Sequence, residues 1–183
     1  MNMSQTVDKY SKPMRFLHWS TAMIIMTLLA VGFYMAGIDP DASDKYDLYP
    51  MHKSFGMIAL LLVLIRLPVR AKGQVPAPAA GLQKWEHNLS HLVHLGLYVA
   101  MLSMTLSGYF MSSTYQYVSG VDMFGLFTVP DITAKSEYWN GVFHEIHSFT
   151  AWAFLVLLGL HLAGVAKHRL LDDKESDVLK RMI

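Results

Sequence analysis

The chain has 183 residues, of which 53% are hydrophobic and only 16% are charged, and its mean hydropathy is +0.30. About a quarter of the residues of an ordinary soluble domain are charged, so this composition argues against a soluble globule or a disordered chain. The net charge of +1 argues against nucleic-acid binding, and the absence of cysteine excludes disulfides and thiolate metal sites.

Four segments are apolar enough to be membrane-spanning helices, each of which needs about 20 residues. In chain order they cover approximately residues 16–38, 50–67, 89–111 and 143–166. The second is the shortest, and Pro50 and Pro68 are expected to mark its ends. The first is longer than the apolar core of a signal peptide, which predicts a retained helix. The sequence therefore predicts an all-α integral membrane four-helix bundle that forms a single domain over residues 1–183.

Basic residues orient the predicted bundle, because lysine and arginine concentrate on the cytoplasmic side of membrane proteins. The two tails and the segment between spans two and three carry 12 of the 15 lysines and arginines, which predicts cytoplasmic N- and C-termini. The opposite face carries three basic and eight acidic residues and is predicted to be acidic. The acidic residues of this outer face are Asp39, Asp41, Asp44, Asp47, Asp122, Asp131, Glu137 and Glu145.

The two longer connections differ in composition. The cytoplasmic one contains Val75-Pro-Ala-Pro-Ala-Ala, which predicts a short extended spacer. The outer one, residues 112–141, contains several aromatic side chains and is expected to form a cap at the membrane interface.

Histidines at two depths are the strongest candidates for cofactor binding, because an unpartnered histidine inside a membrane is costly. His18 lies near the cytoplasmic end of span one, and His52 lies near the outer end of span two. In span four, His161 follows His147 by 14 residues, about 21 Å along a helix and on nearly the same helix face. His144 points elsewhere and is expected at the interface. The pattern predicts an inner pair, His18 and His161, and an outer pair, His52 and His147, suited to iron, copper, zinc or haem.

Span three carries a separate row of histidines at its cytoplasmic end, namely His87, His91 and His94. The row predicts either a metal site or hydrogen-bonding groups beside a haem. The alternative is a helix end at the membrane interface whose imidazoles are solvated. Either His91 or His94 could replace His18 or His161 as an inner ligand, and both choices remain open from the sequence.

Polar residues beyond the inner pair form a second candidate site. His168 follows His161 by seven residues, which places it on the same helix face at the membrane boundary. It could line a polar pocket together with Arg15, Lys84 and His87. Other basic residues could pair with the propionates of a bound haem, with interfacial anchoring as the alternative. These residues are Lys53, Arg66 and Arg70.

Several short segments occur in a characteristic order along nearly the whole chain. They are Phe16-Leu-His-Trp, Met51-His-Lys-Ser-Phe-Gly, Leu89-Ser-His-Leu-Val-His-Leu, Ser107-Gly-Tyr, Phe124-Gly, Gly159-Leu-His and Ala166-Lys-His. With these segments the chain resembles the bacterial cytochrome b-561 family, four-helix proteins of the inner membrane that hold two b-type haems.

The resemblance implies that His18 and His161 ligate an inner haem b, and that His52 and His147 ligate an outer one. Arg15, Lys53, Arg66 and Arg70 would assist haem binding. The resemblance further implies a quinone site to which His168 contributes, with Lys84 and His87 as further candidates.

Ligation by two imidazoles leaves no open position on the iron, which favours electron transfer over chemistry at the metal. The implied function is electron transport between ubiquinone near the cytoplasmic side and an outer-face donor, either superoxide or a soluble redox protein. An enzyme of this kind would be a superoxide:quinone oxidoreductase, although an acidic outer face should slow the approach of an anion. The alternatives are a cytochrome b anchor subunit of a larger dehydrogenase and a histidine-based metal transporter.

Overall fold

The computed structural model describes residues 8–39, 43–79 and 81–183, and for residues 43–46 it describes only the backbone. Asp41 and Ala80 therefore lie outside the described residues, as does the side chain of Asp44. Four long helices dominate the structure, and each is long and apolar enough to cross a membrane. They are α1 (Lys12–Gly37), α2 (Ser43–Lys72), α3 (Lys84–Thr114) and α4 (Glu137–Leu170). The predicted all-α membrane bundle is confirmed.

Serine side chains cap the first turns of α1 and α4. Ser11 accepts a hydrogen bond from the Met14 amide at the start of α1, and the Ser136 side chain accepts one from the Trp139 amide at the start of α4. These oxygens satisfy amide groups that have no partner within the first turn of a helix. Local capping thus sets where the helices begin.

Helix α2 runs through both of its prolines, so the expectation that Pro50 and Pro68 mark its ends is wrong. A proline removes one backbone donor, and long membrane helices tolerate this where other groups satisfy the freed carbonyls. The carbonyl that loses its helical donor at Pro50 is that of residue 46, four residues earlier.

The helices pack in chain order, with close backbone contacts between α1 and α2, α2 and α3, and α3 and α4. All four contribute to one buried cluster at middle depth, which consists of Leu29, Val63, Ala100, Met101 and Phe154. The outward faces remain apolar, as expected for helices that contact lipid. Strongly exposed examples are Phe16, Met23, Leu92, Val99, Phe149 and Val156.

The outer connection contains a short antiparallel hairpin of β1 (Val121–Asp122) and β2 (Thr128–Val129), which the sequence did not predict. Gly120 has φ +71°, and a Cβ there would lie 2.5 Å from Thr128 Cγ2, so only glycine fits. The hairpin docks on α2 through a hydrogen bond of 2.6 Å from Ser54 Oγ to the Asp122 carbonyl oxygen. We call the end of the bundle beneath it the hairpin end.

The opposite end, here the terminal end, holds the first helix start and the last residues together. Two 3-10 turns, Lys174–Ser176 and Val178–Arg181, follow α4. Trp19 Nε1 donates to the Met182 carbonyl oxygen at 2.8 Å, and Arg169 pairs with Asp177 at 2.6 Å. The final segment therefore folds back across this end of the bundle.

Candidate functional site

The structure brings the four predicted histidines together as two pairs. His18 on α1 faces His161 on α4 with ring centres 6.4 Å apart, at the terminal end. His52 on α2 faces His147 on α4, also with ring centres 6.4 Å apart, at the hairpin end. We call these the terminal pair and the hairpin pair. Helix α4 contributes one histidine to each pair.

The spacing within each pair suits two imidazoles on opposite sides of one metal ion. With metal–nitrogen bonds of about 2 Å, the centres of two such rings stand roughly 6 Å apart. The His94 ring also approaches His161, but with ring centres 5.2 Å apart it is too close for that arrangement. The ring distances therefore favour His18 over His94 as the partner of His161.

The pairs bridge helices whose backbones are not closely packed. Close backbone packing among the described residues joins neighbours in sequence, whereas the pairs connect α1 with α4 and α2 with α4. Between the two levels lies the buried cluster that includes Phe154. Each histidine pair thus connects α4 to a helix with which it shares little close backbone packing among the described residues.

Glycines on neighbouring helices hold the hairpin pair. A Cβ on Gly108 of α3 would lie 3.1 Å from His147 Cε1, and one on Gly32 of α1 would lie 3.3 Å from His52 Cε1. These distances are tighter than ordinary van der Waals contact, so both rings press against bare backbone. A side chain at either position would push the ring away.

Hydrogen bonding sets the tautomer of His147. Its Nδ1 donates to the Met104 carbonyl oxygen at 2.9 Å, and Ser107 Oγ lies 3.2 Å from the same nitrogen. A neutral imidazole that donates from Nδ1 keeps its lone pair on Nε2, which is the form that binds a metal. The buried Nδ1 of His52 has no hydrogen-bond partner among the described residues.

The terminal pair has a different environment. Arg66 Nη2 lies 2.9 Å from His18 Nδ1, and its guanidinium carbon lies 5.2 Å from the centre of the Tyr98 ring. Because arginine only donates, His18 Nδ1 must accept, and the proton of the neutral ring is then on Nε2. His18 can bind a metal through Nε2 only after Arg66 releases Nδ1.

A half-buried polar network lies about two helical turns beyond His161 along α4. His168 Nδ1 donates to Asp172 at 2.6 Å, while Lys167 bridges Asp172 at 2.9 Å and Glu86 at 2.8 Å. Hydrogen bonds from Lys167 and His168 hold the pKa of Asp172 below its usual range. Ligand atoms of Glu86, His168 and Asp172 lie within 4.8 Å of one another, but the Lys167 ammonium already supplies the positive charge there.

The remaining predicted site residues have other contacts in the structure. Arg15 donates to the Ile183 backbone oxygen at 2.6 Å, and Arg70 lies over the Tyr10 ring at 5.7 Å. Lys84 is the exposed first residue of α3. His87 contacts His91 one turn away.

Lys53 lies next to His52 at the hairpin end, within electrostatic range of Asp131 and Lys135. Burial alone would raise the pKa of Asp131, but the ion pair with Lys135 and the hydrogen bond from the Gly120 amide lower it. Lys135 lies 2.6 Å from this carboxylate. Asp131 is therefore ionised on this acidic face.

Sequence reasoning missed the groups that position the histidines. Gly32, Gly108 and the Met104 carbonyl belong to helices other than the one whose histidine they contact. Helical periodicity shows which residues share a face, but it carries no information on which helix lies opposite. Asp172 could have been found from the sequence, since it follows His168 by one helical turn.

Comparisons with known proteins identify the family of the chain. Residues 9–183 match the family model described as prokaryotic cytochrome b561. The chain is similar to cytochrome b561 homolog 2 of Escherichia coli (strain K12), with 26% identity over 183 residues that cover 100% of this chain and 95% of the relative. It is also similar to cytochrome b561 homolog 1 of the same organism, with 24% identity over 177 residues that cover 96% and 98% of the two chains.

Proposed function

The chain belongs to the prokaryotic cytochrome b561 family of b-type haem membrane electron-transfer proteins, and we propose that it holds two haems and carries electrons between quinone and an outer-face donor. The observation that carries this proposal is the equal spacing of the terminal pair and the hairpin pair, both at 6.4 Å. Haem b would supply a one-electron carrier at each level. Two such carriers at different depths would connect the two sides of a membrane.

His18 and His161 would hold one haem, and His52 and His147 the other. At the hairpin pair, the hydrogen bond to the Met104 carbonyl directs Nε2 of His147 to metal binding. At the terminal pair, Arg66 must first leave His18 Nδ1. The released guanidinium, a planar donor suited to carboxylates, would then be available to a propionate.

The polar network at the terminal end supports a quinone site there. Quinone reduction consumes protons as well as electrons, so a site needs a proton donor in contact with water. Asp172 holds the Nδ1 proton of His168, which leaves Nε2 of the imidazolium form as a donor toward a quinone oxygen. Lys84 and His87, at the start of α3, are further candidates at this end.

The excess of lysine and arginine at the terminal end supports a cytoplasmic location for both termini and for the quinone site. The membrane would then be the bacterial inner membrane. At the hairpin end, the ionised Asp131 adds to an acidic face that repels an anion. Of the two outer-face donors, this surface suits a basic redox protein better than superoxide.

The test is a count of haem by pyridine haemochrome, with a reduced-minus-oxidised visible spectrum, on the purified chain expressed with ample haem. We expect two haems b per chain. His52→Ala should remove only the haem of the hairpin pair, and His161→Ala only that of the terminal pair. His144→Ala is the matched control, because His144 is exposed and pairs only weakly with Glu145 at 3.6 Å, and it should retain both haems.

A colourless protein would refute the proposal as a whole. One haem per chain in the wild type, or two haems in both His52→Ala and His161→Ala, would refute the assignment of the pairs. Copurification of a dehydrogenase subunit would instead favour the anchor-subunit alternative.

A further inference from the structure

His87 and His91 on α3 form a pair of imidazoles that belongs neither to the terminal pair nor to the hairpin pair. The two residues are one helical turn apart, and their Nε2 atoms lie 3.2 Å from each other. The ring centres are 4.5 Å apart with the planes inclined at 68°. The two imidazole nitrogens therefore lie close together beside the helix.

We propose that His87 and His91 bind a divalent transition-metal ion, with copper(II) held most tightly. Two nitrogens bound to one ion at about 2.0–2.1 Å, in adjacent coordination positions, are roughly 3 Å apart. The observed 3.2 Å matches this distance without movement of the backbone. The geometry differs from that of the terminal pair, whose rings are too far apart to chelate an ion from the same side.

The chemistry of the pair selects the class of ion. Neutral imidazole suits copper, nickel and zinc, whereas magnesium and calcium prefer oxygen ligands. Among divalent ions of the first transition series, affinity for nitrogen sites peaks at copper(II). The exposed side of His91 leaves water to fill the other coordination positions.

The position of the pair suggests what a bound ion would do. His91 is one turn from His94 along α3, and the His94 ring lies 5.2 Å from that of His161. A dication at His87 and His91 would therefore favour the reduced form of a haem at the terminal pair and raise its midpoint potential. This consequence rests on the proposed function, whereas metal binding itself does not.

The test is a titration of the purified chain, without a histidine tag, with copper(II) followed by electron paramagnetic resonance. We expect one ion per chain with hyperfine splitting from two imidazole nitrogens. His87→Ala and His91→Ala should each lose that two-nitrogen signal and bind at least tenfold more weakly, because each removes one arm of the chelate. His144→Ala should bind as the wild type does.

A composition-matched variant separates chelation from histidine content. His91→Ala combined with Asn88→His keeps the number of histidines but places the second imidazole next to His87 in sequence, where the side chains diverge. It should bind as weakly as His91→Ala alone. A two-nitrogen signal that survives in His87→Ala or in this double variant would overturn the proposal.

Haem content separates this inference from the proposed function. Copper binding in a chain that takes up no haem would support the metal site and refute the dihaem function. A chain with two haems but no two-nitrogen copper signal would refute the metal site and support the dihaem function. A redox titration with and without copper then checks whether only the midpoint potential of the terminal haem shifts.

Discussion

The terminal pair and the hairpin pair have the same ring spacing of 6.4 Å but opposite hydrogen bonding. In the hairpin pair, His147 donates from Nδ1 to a carbonyl oxygen and keeps a free lone pair on Nε2. In the terminal pair, His18 accepts at Nδ1 from Arg66, which puts the ring proton on Nε2. One site is already arranged for a metal, whereas the other has to exchange a partner first.

If both pairs bind haem, this difference would make them two unlike redox centres on one helix. A carbonyl acceptor makes an imidazole a stronger electron donor to a metal, which stabilises the oxidised form. A guanidinium nearby disfavours additional positive charge and stabilises the reduced form. With haem bound, the terminal pair should therefore have the higher midpoint potential, so that electrons move from the hairpin end to the terminal end.

The largest effect should follow from a side chain at Gly108. Gly108→Leu would force side-chain atoms into the space of His147, whose Cε1 would lie 3.1 Å from a Cβ there. Overpacking of this kind costs about 1–3 kcal/mol and displaces a ligand ring. We expect the haem content to fall from two to one per chain, with the terminal haem retained.

Gly159→Leu is the matched control for this change. A Cβ on Gly159 of α4 meets no atom within 4 Å, so the variant should keep both haems. Equal haem loss in the two variants would show that the contact at Gly108 has no special role.

A smaller effect should follow from removal of the charge at the terminal pair. Arg66→Gln should make the midpoint potential of the terminal haem more negative by about 40 mV, the equivalent of about 1 kcal/mol for one electron. The hairpin haem should not change. Redox potentiometry on both haems is the measurement.

Arg70→Gln serves as the control for Arg66→Gln, because Arg70 lies over Tyr10 and not beside a histidine of either pair. If Arg66→Gln shifts the midpoint potential of the hairpin haem as much as that of the terminal haem, the two sites do not differ in their dependence on Arg66.

The smallest effect concerns Asp172. Its pKa is lowered by Lys167 and His168, so the ionised form stabilises the fold. That stabilisation is present above the usual aspartate pKa of about 3.9 and is lost as the pH falls through the lowered value. We expect the midpoint temperature of thermal unfolding to fall in acid for the wild type. The fall should be smaller for Asp172→Asn, because this variant has no carboxylate to protonate at that position.

The rate of quinone reduction as a function of pH provides a second measurement on Asp172→Asn. Loss of the carboxylate removes the acceptor of His168 Nδ1 and should slow quinone reduction, while the haem spectrum stays unchanged. Asp173→Asn, at the next and exposed position, is the control. Identical pH profiles in the wild type and Asp172→Asn would exclude a role for this carboxylate in quinone reduction.

The sequence predicted those features that depend on a single helix. Length and hydropathy located four helices, and the 14-residue separation of His147 and His161 predicted two levels. The continuation of α2 through Pro50 was missed, because proline usually ends a helix, whereas a long membrane helix tolerates the missing backbone donor. The hairpin at Val121–Asp122 was also missed, since two-residue strands leave too short a pattern to detect.

The contacts between helices could not be predicted in the same way. That Gly108 lies against His147 and Arg66 against His18 depends on helix rotation and depth, which apolar spans specify only loosely. The assignment of ligands to particular haems remains a prediction. The ring distance that favours His18 over His94 became available only from the three-dimensional arrangement.

The shared use of α4 has a consequence for biogenesis. Because α4 is the last of the four helices to leave the ribosome, neither pair of histidines exists until it has entered the bilayer. The earlier helices can already pack as neighbours, since α1 contacts α2 and α2 contacts α3. Loading of the two proposed centres would therefore be a late step of assembly, and premature termination before α4 would leave an embedded three-helix fragment with neither histidine pair complete.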